Sequence, residues 1–274
     1  MRKRDSDILL LKRELEGLQR ENSRLNKQIK SKQSVNKRDK VFAVPKEFIT
    51  ARQSELLELF KVASTLVHDF ARSITSLVIS SDNCIGRADA AEQSWNRNSL
   101  EAYLSRTMLG TRTEEREEAF EIDAVRFDRI MRFRDPLDAL MQYPSSSFSR
   151  FCQTRYLAAV SSEIEAAIFR NLDQRAFVSR GGHPSTWFYR AFATMARSAW
   201  ALHVVMAKYC SAGQSVRMFY ARRGSKYAEE YMESVAAPAS GCVAFTVTPG
   251  VKVGDTVVAC MVFLCDPQDA NNVQ

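Results

Sequence analysis

Histidine and cysteine, the side chains best suited to metal binding or acid–base chemistry, are few and scattered in this chain. The three histidines, His68, His183 and His203, lie on different segments, so no metal site is predicted from them. His183 belongs to Gly181–Pro184, just before a predicted helix whose N-terminus could hold an anion. A glycine pair is more often a simple turn, and the turn is the favoured interpretation. The sequence contains no glycine-rich phosphate loop, nucleophile elbow or HExxH motif, so no catalytic residue, metal or cofactor is predicted.

The cysteines also indicate an ordinary intracellular chain. All six lie without CxxC spacing, and they are Cys84, Cys152, Cys210, Cys242, Cys260 and Cys265. Most sit in apolar runs, which is typical of buried thiols in a reducing compartment. No apolar run reaches the ~18 residues of a membrane span, and none resembles a signal peptide. We therefore expect a soluble, cytoplasmic protein, with the nucleus and the periphery of the plasma membrane as alternatives.

One short motif could carry a modification. Arg222–Ser225, with the sequence RRGS, matches the pattern of a basophilic kinase site and predicts phosphorylation of Ser225. A phosphate there would lie near two arginines and the N-terminus of a helix predicted to begin at Lys226. The favoured alternative is that Ser225 only caps that helix.

The clearest pattern is a heptad repeat near Met1. It consists of Ile8, Leu11, Leu15, Leu18, Asn22, Leu25 and Ile29, at alternating spacings of three and four. Leucine at every d position favours two parallel strands. Asn22 at an a position finds a hydrogen-bond partner in its own copy across a parallel dimer, which fixes the register. The pattern predicts a parallel homodimer, and the alternative is an amphipathic helix packed on the rest of the chain.

The repeat also lies in the basic part of the chain. Residues 1–40 hold 13 Lys/Arg and 6 Asp/Glu, whereas residues 41–274 hold 26 of each, so this arm accounts for the whole net charge of +7. A basic arm can attract nucleic acid or an anionic membrane. Its charges lie largely on the outer helix positions, where they are equally a solvated face, and nucleic-acid binding is the less favoured hypothesis.

Apolar periodicity predicts a mainly α-helical fold. Thr50 and Gln53 resemble a capping box for a helix that runs to about Val78. Residues 80–99 are predicted as a loop or weak helix, and residues 114–133 as a helix that Pro136 ends. Further helices are expected after Ser145–Ser147, over 163–172, and from Pro184 to about Tyr209. The predicted regions are a coiled-coil arm (1–40), a helical region (41–143) and a C-terminal domain (144–274).

The pattern changes after Gly213 to that of a small antiparallel sheet. Strands are predicted at 216–221, 242–248 and 256–264, with a short helix from Ser225 to about Val235. The last strand is apolar on both faces, so it should be central or covered.

Several blocks of the C-terminal half carry a resemblance to a known family. They are YPSSSFSRFC (143–152), NLDQRA (171–176), GGHP (181–184), RRGS (222–225), EEYMESV (229–235) and VTPG (247–250). In this order they resemble the plant GRAVITROPIC IN THE LIGHT family, which includes a receptor-like-kinase-interacting protein. The resemblance runs from the heptad segment to about Leu264. Family members have a further helical region before the coiled coil, whereas this chain starts just before Ile8, as expected of an N-terminally truncated sequence, a short paralogue or a fragment.

The resemblance implies a plant-specific, non-enzymatic regulator. Members of the family act in the light-dependent suppression of gravitropism downstream of phytochrome, or bind receptor-like kinases. The leading hypothesis is thus an adaptor that dimerises through the heptad seam and binds a signalling protein, with no small-molecule substrate. The alternatives are binding of nucleic acid or anionic membrane by the arm, and an enzyme of unrecognised fold that uses His183 or the 222–225 turn.

Overall fold

The computed structural model describes residues 53–81, 90–110, 124–235 and 241–265, and these are mainly helical. The predicted coiled-coil seam, Ile8–Ile29, lies outside the described residues. The described helices are α1 (Gln53–Ser81), α2 (Ala90–Leu109), α3 (Ala124–Arg132), α4 (Pro136–Gln142), α5 (Ser147–Ala159), α6 (Ser162–Phe169), α7 (Asp173–Ser179) and α8 (Trp187–Ser211). All described residues belong to one compact unit that spans residues 46–274.

Helix α1 confirms the predicted broad apolar face. The residues of this face that are buried are Leu56, Leu59, Phe60, Ala63, Val67, Phe70 and Ile74. Their spacing of three and four places them on one side of the helix, against the core. Thr50, half of the predicted capping box, lies outside the described residues.

Pro136 begins a helix rather than only ending one. It is the first residue of α4, and the Asp135 side chain accepts a hydrogen bond from the Leu137 N–H at 3.0 Å. The first residue of a helix needs no N–H donor, and proline already has the helical φ angle there. The preceding helix, α3, ends at Arg132, and residues 114–123 of its predicted range lie outside the described part.

Hydroxyl side chains start three of the later helices. Ser146 caps α5, Ser161 caps α6 and Thr186 caps α8, each accepting a hydrogen bond from the N–H three residues on. These caps satisfy N–H groups that the first helical turn leaves without a backbone partner. The helix starts predicted after residue 144 and after Pro184 are thus confirmed.

Helix α8 is the centre of the helical core. Sixteen of its 25 residues are buried, so it is enclosed on most sides. Phe192 lies 5.1 to 5.9 Å, centroid to centroid, from the rings of Phe70, Tyr156 and Tyr189. This aromatic cluster joins α1, α5 and α8 into one core.

Two small sheets follow α8. Their strands are β1 (Val216–Phe219), β2 (Met232–Ser234), β3 (Cys242–Thr248), β4 (Gly250–Val253), β5 (Thr256–Val258) and β6 (Cys260–Cys265). The first sheet is antiparallel in the order β1-β4-β5, and the second has the order β2-β6-β3. The single strand predicted at 256–264 is two strands: β5 lies at the edge of the first sheet, and only β6 is central, with β3 antiparallel to it. Strand β2 adds a parallel pairing to β6 that the sequence pattern did not predict.

The helix predicted from Ser225 to Val235 is wrong. Gly224 has φ +76°, and a turn follows in which the Ser225 N–H donates to the Arg222 carbonyl at 3.1 Å. The backbone then bonds to β3, because the Val243 N–H donates to the Ser225 carbonyl at 2.9 Å. Lys226 forms an isolated antiparallel bridge to Cys242, and the chain continues into β2. Pairing with β3 and β6 has overridden the local helical pattern.

Helical and β parts are tied together at the start of α1. The Gln53 amide donates to the Val253 carbonyl at 3.0 Å and to the Thr256 hydroxyl at 2.6 Å. Strands β4 and β5 are therefore anchored to α1 at their hairpin. Within the described ranges, each helix is too short or too polar to cross a membrane.

Candidate functional site

The predicted dimerisation seam cannot be placed in the fold. Ile8, Leu11, Leu15, Leu18, Asn22, Leu25 and Ile29 all lie outside the described residues. The parallel homodimer therefore stays a prediction. The candidate sites lie on the described helices and strands.

Ser225 lies in a tight turn that is held to β3. Its hydroxyl donates to the Arg222 carbonyl at 2.6 Å, and the Gly224 N–H donates to the Val243 carbonyl at 2.8 Å. Ser225 is half-buried, whereas Arg222 and Arg223 are exposed. The predicted role of Ser225 as a helix cap is wrong, because no helix follows it. The alternative role, as a hydroxyl beside two exposed arginines, stays a prediction.

Three residues from separate segments form a hydrogen-bonded chain, and two of them belong to sequence motifs. The Ser149 hydroxyl lies 2.7 Å from Nε2 of His183, and Nδ1 of His183 lies 2.7 Å from the Tyr189 hydroxyl. Ser149 comes from the first turn of α5, His183 from the GGHP loop and Tyr189 from α8. The sequence identified the first two motifs separately, but only the fold brings them together.

This chain has the connectivity of a nucleophile, a base and an orienting group. Burial, however, raises the pKa of Tyr189 and lowers that of His183. A neutral phenol is not the carboxylate that stabilises an imidazolium in a catalytic triad. Ser149 is 5% exposed and Tyr189 is fully buried, so the arrangement serves best to fasten the GGHP loop between two helices.

A second set of polar groups closes the C-terminal end of α5. Arg175, from the NLDQRA motif, donates to the carbonyls of Val160 at 2.8 Å and Leu157 at 3.0 Å. These are carbonyls at the end of a helix that have no partner within it. Nearby, the Tyr156 hydroxyl donates to the buried Glu165 carboxylate at 2.5 Å. Arg175 therefore ties α7 to the end of α5, and the Tyr156–Glu165 contact ties α5 to α6.

Three large apolar side chains remain exposed on this part of the fold. Leu172, Phe177 and Trp187 are 44%, 50% and 56% exposed, respectively. In the same stretch of the chain, the Thr186 hydroxyl at the start of α8 donates to the Gln174 side-chain oxygen on α7 at 2.6 Å. We call these three residues the 172–187 apolar surface. They belong to one stretch of the sequence, and exposed aromatic side chains are enriched in protein interfaces.

Other chemistry is not supported by the described side chains. In the described part of the chain, no group of three or more His, Cys, Asp or Glu residues is placed to hold a metal ion. The remaining histidines are occupied elsewhere, since His68 bonds Glu101 at 2.8 Å and Nε2 of His203 donates to the Met108 carbonyl at 2.8 Å. We therefore take the 172–187 apolar surface as the candidate functional site of the described residues.

Comparison with known proteins identifies the β-rich segment. Residues 218–263, from β1 to β6, match the family model of the GIL1/IRKI C-terminal domain. The predicted resemblance to the GRAVITROPIC IN THE LIGHT family is confirmed. The Ser225 turn and the β3–β6 ladder both lie inside the matched segment.

A curated relative supports the same assignment. The chain is 34% identical over 129 residues to Protein GRAVITROPIC IN THE LIGHT 1 of Arabidopsis thaliana, which is 45% of this chain and 22% of the relative. The chain thus covers about a fifth of that relative's length. No solved structure matches this chain.

Proposed function

We propose that this protein is a non-enzymatic adaptor in the light-dependent control of gravitropism. It dimerises through the heptad seam and presents the body of the fold to a receptor-like kinase in the cytoplasm. The observation that carries the proposal is the match of residues 218–263 to the GIL1/IRKI C-terminal domain. The name of the Arabidopsis relative supports the physiological setting, and the IRKI in the name of the domain supports a kinase partner.

The 172–187 apolar surface is the part of the described fold best suited to contact the partner. Trp187 and Phe177 are rigid aromatic groups of the kind that dominate protein interfaces. Arg170, two residues before this segment, and Arg180, within it, are both exposed, and Asp173 is the one exposed acid of the segment. The surface is therefore apolar with a basic margin, which complements an acidic or phosphorylated segment of a kinase.

Binding to the intracellular domain of a receptor-like kinase tests this surface. The Phe177→Ser/Trp187→Ser double variant should bind at least about tenfold more weakly than the unaltered chain in calorimetry, since each is an anchor residue. Met141→Ser is the matched control, because Met141 is 70% exposed but lies on α4. Equal binding by the double variant, or an equal loss with Met141→Ser, would reject the surface. Absence of binding by the unaltered chain would reject the kinase as partner.

Light scattering tests the proposed dimer. The full chain should have the mass of a dimer, and Asn22→Lys combined with Leu18→Pro should give a monomer, because the pair removes the seam's register and its helix. A monomeric unaltered chain, or a dimer that survives both substitutions, would contradict the proposed assembly.

We further propose that Ser225 is a phosphorylation site that regulates partner binding. Its support is the position of the Ser225 hydroxyl beside the exposed Arg222 and Arg223, in a turn where it donates to the Arg222 carbonyl. A basophilic kinase should label the full chain, and Ser225→Ala should lose the label. Ser185→Ala is the control, since Ser185 is exposed but has no arginine two or three residues before it. Undiminished labelling of Ser225→Ala would exclude the site.

The basic arm favours a second candidate, binding to nucleic acid or an anionic membrane. Its net charge of +7 predicts affinity that falls steeply as salt is raised. Deletion of residues 1–40 should abolish such binding, and binding retained after the deletion would exclude this candidate.

A further inference from the structure

Two cysteines that are far apart in the sequence lie directly opposite each other at the end of the β3–β6 ladder. Cys242 is the first residue of β3 and Cys265 is the last residue of β6, and the antiparallel register pairs them. Both are half-buried thiols. Directly opposed residues in an antiparallel pair project to the same face of the sheet.

The backbone fixes the spacing of the pair. The N–H and carbonyl of Val243 bond to Ser225 and Gly224, on the side away from β6. Because successive residues of a strand point their backbone groups in opposite directions, those of Cys242 point toward β6. Cys242 and Cys265 are then a hydrogen-bonded pair, whose Cα atoms lie about 5.5 Å apart. Disulfides have Cα separations of about 4.4 to 6.8 Å, so the Cα spacing of this pair lies inside the range. The side chains of a hydrogen-bonded pair lie farther apart than those of a non-hydrogen-bonded pair, so closing the bond requires an adjustment of the strand end.

Two further contacts bring the ends of the strands together. The Cys265 Sγ lies 3.7 Å from the Cys242 carbonyl oxygen, so its side chain already lies over the other strand. Gly241, with φ +127°, precedes Cys242, and a Cβ at this position would lie 2.6 Å from the Cys265 carbonyl oxygen. Glycine is therefore required for the close approach of β6, and the same glycine lets the backbone adjust at the strand end.

The other described cysteines are less suited to reaction. Cys152 is fully buried among the helices, and burial raises the pKa of its thiol. Burial likewise raises the pKa of Cys260, whose Sγ donates to the Tyr231 carbonyl at 3.3 Å. A raised pKa leaves less of the thiolate that reacts in disulfide exchange. Cys210 is half-buried and lies on α8, not on either of the two strands.

We propose that Cys242 and Cys265 form a reversible disulfide that responds to the redox state of the cell, with oxidised glutathione as the oxidant. The thiolate of one cysteine attacks a sulfur of the glutathione disulfide and releases one glutathione thiolate. The second thiolate attacks the protein sulfur of the mixed disulfide, which closes the Cys242–Cys265 bond and releases the second glutathione. The two protein protons pass to the two glutathione thiolates, so two thiols are oxidised and one disulfide is reduced. The bond fixes the end of the ladder beside the Ser225 turn.

Mass spectrometry of the reduced full chain treated with oxidised glutathione tests the proposal. The treated protein should lose two hydrogen atoms, and dithiothreitol should restore them. Trypsin leaves Cys260 and Cys265 in one peptide, so fragmentation of the linked peptides must identify the bonded cysteine. The linked pair should be Cys242 and Cys265, and the oxidised protein should melt at a higher temperature than the reduced one, since the bond closes a long loop.

Variants separate this pair from the other thiols. Cys242→Ser and Cys265→Ser should both lose the internal bond, whereas Cys260→Ala and Cys210→Ser should keep it. Fragmentation of the unaltered chain decides the question even if a variant fails to fold. A bond to Cys260, a glutathione adduct that never resolves, or a disulfide between two chains on a non-reducing gel would each overturn the proposal.

Discussion

Replacing Glu165 with glutamine should remove a pH dependence of stability from the fold. Glu165 is fully buried, and one carboxylate oxygen accepts a hydrogen bond from Tyr156 at 2.5 Å. The other oxygen, Oε2, is buried without a hydrogen-bond partner in the described part of the chain. Burial raises the pKa of Glu165, and it outweighs the hydrogen bond from Tyr156 and the charge of Arg175, which lower it.

The sign follows from proton linkage. The folded protein holds the proton of the Glu165 carboxyl more tightly than the unfolded chain does. The contribution of Glu165 to the free energy of unfolding is therefore fully present below the unfolded pKa of about 4.3, and it is lost as the pH rises through the folded pKa. Over that interval Glu165 lowers the free energy of unfolding by at most about 1.4 kcal/mol per pH unit. Glutamine does not titrate, so the free energy of unfolding of the unaltered chain minus that of Glu165→Gln should fall as the pH rises and then level off.

A neighbour on the same helix provides a control of opposite sign. Hydrogen bonds from its own backbone N–H and from the Ser161 and Ser162 hydroxyls lower the pKa of the exposed Glu163. Its contribution is present above the unfolded pKa and is lost as the pH falls through the folded pKa. The free energy of unfolding of the unaltered chain minus that of Glu163→Gln should thus rise with pH, whereas the same difference for Glu165→Gln should fall.

Urea unfolding followed by circular dichroism, at a series of pH values, measures both differences. The Glu165→Gln variant also buries an amide without a second partner, which lowers stability at every pH, so the slope and not the absolute value is the result that matters. A difference for Glu165→Gln that is flat or rises with pH would refute the reasoning. Equal slopes for the two variants would show that burial does not control the Glu165 carboxyl.

Two further changes test the core. Burial lowers the pKa of His203 to about 4, so the unaltered chain should lose stability as the pH falls from about 6.5 toward that value. His203→Gln should lose less stability over the same pH range in the same urea series. An acid sensitivity equal to that of the unaltered chain would contradict this. Phe192→Ala should lower the free energy of unfolding by about 3 to 5 kcal/mol, because the ring is fully buried. Phe177→Ala, at a ring that is 50% exposed, should change it by roughly 0.5 kcal/mol, and a similar loss for both variants would argue against the described core.

Local sequence patterns predicted much of the helical part. Helix α1 needs only apolar residues at spacings of three and four, and α5 and α8 need only these and a hydroxyl before the first turn. The central position of β6 was also predictable, since a strand apolar on both faces requires cover on both. In each case the pattern that predicts the element lies within about 30 consecutive residues, because the apolar residues of a single helix or strand form it.

The Ser225 turn shows where such reasoning fails. The local sequence from Ser225 to Val235 is compatible with a helix, yet its backbone bonds to β3 and β6 instead. Those partners lie downstream in the chain, and nothing in the segment itself names them. Non-local hydrogen bonds decided the conformation over local propensity.

The sequence by itself determined the apolar periodicity of α1, α5 and α8, the basic charge of the arm and the motifs that carry the family resemblance, and the heptad seam stays a prediction. Only the tertiary structure decided which side chains meet: Ser149 with His183 and Tyr189, and Cys242 with Cys265. The physical reason is that a strand register or a loop seated between helices depends on backbone and side-chain contacts between distant segments. Those contacts form only when the whole core closes.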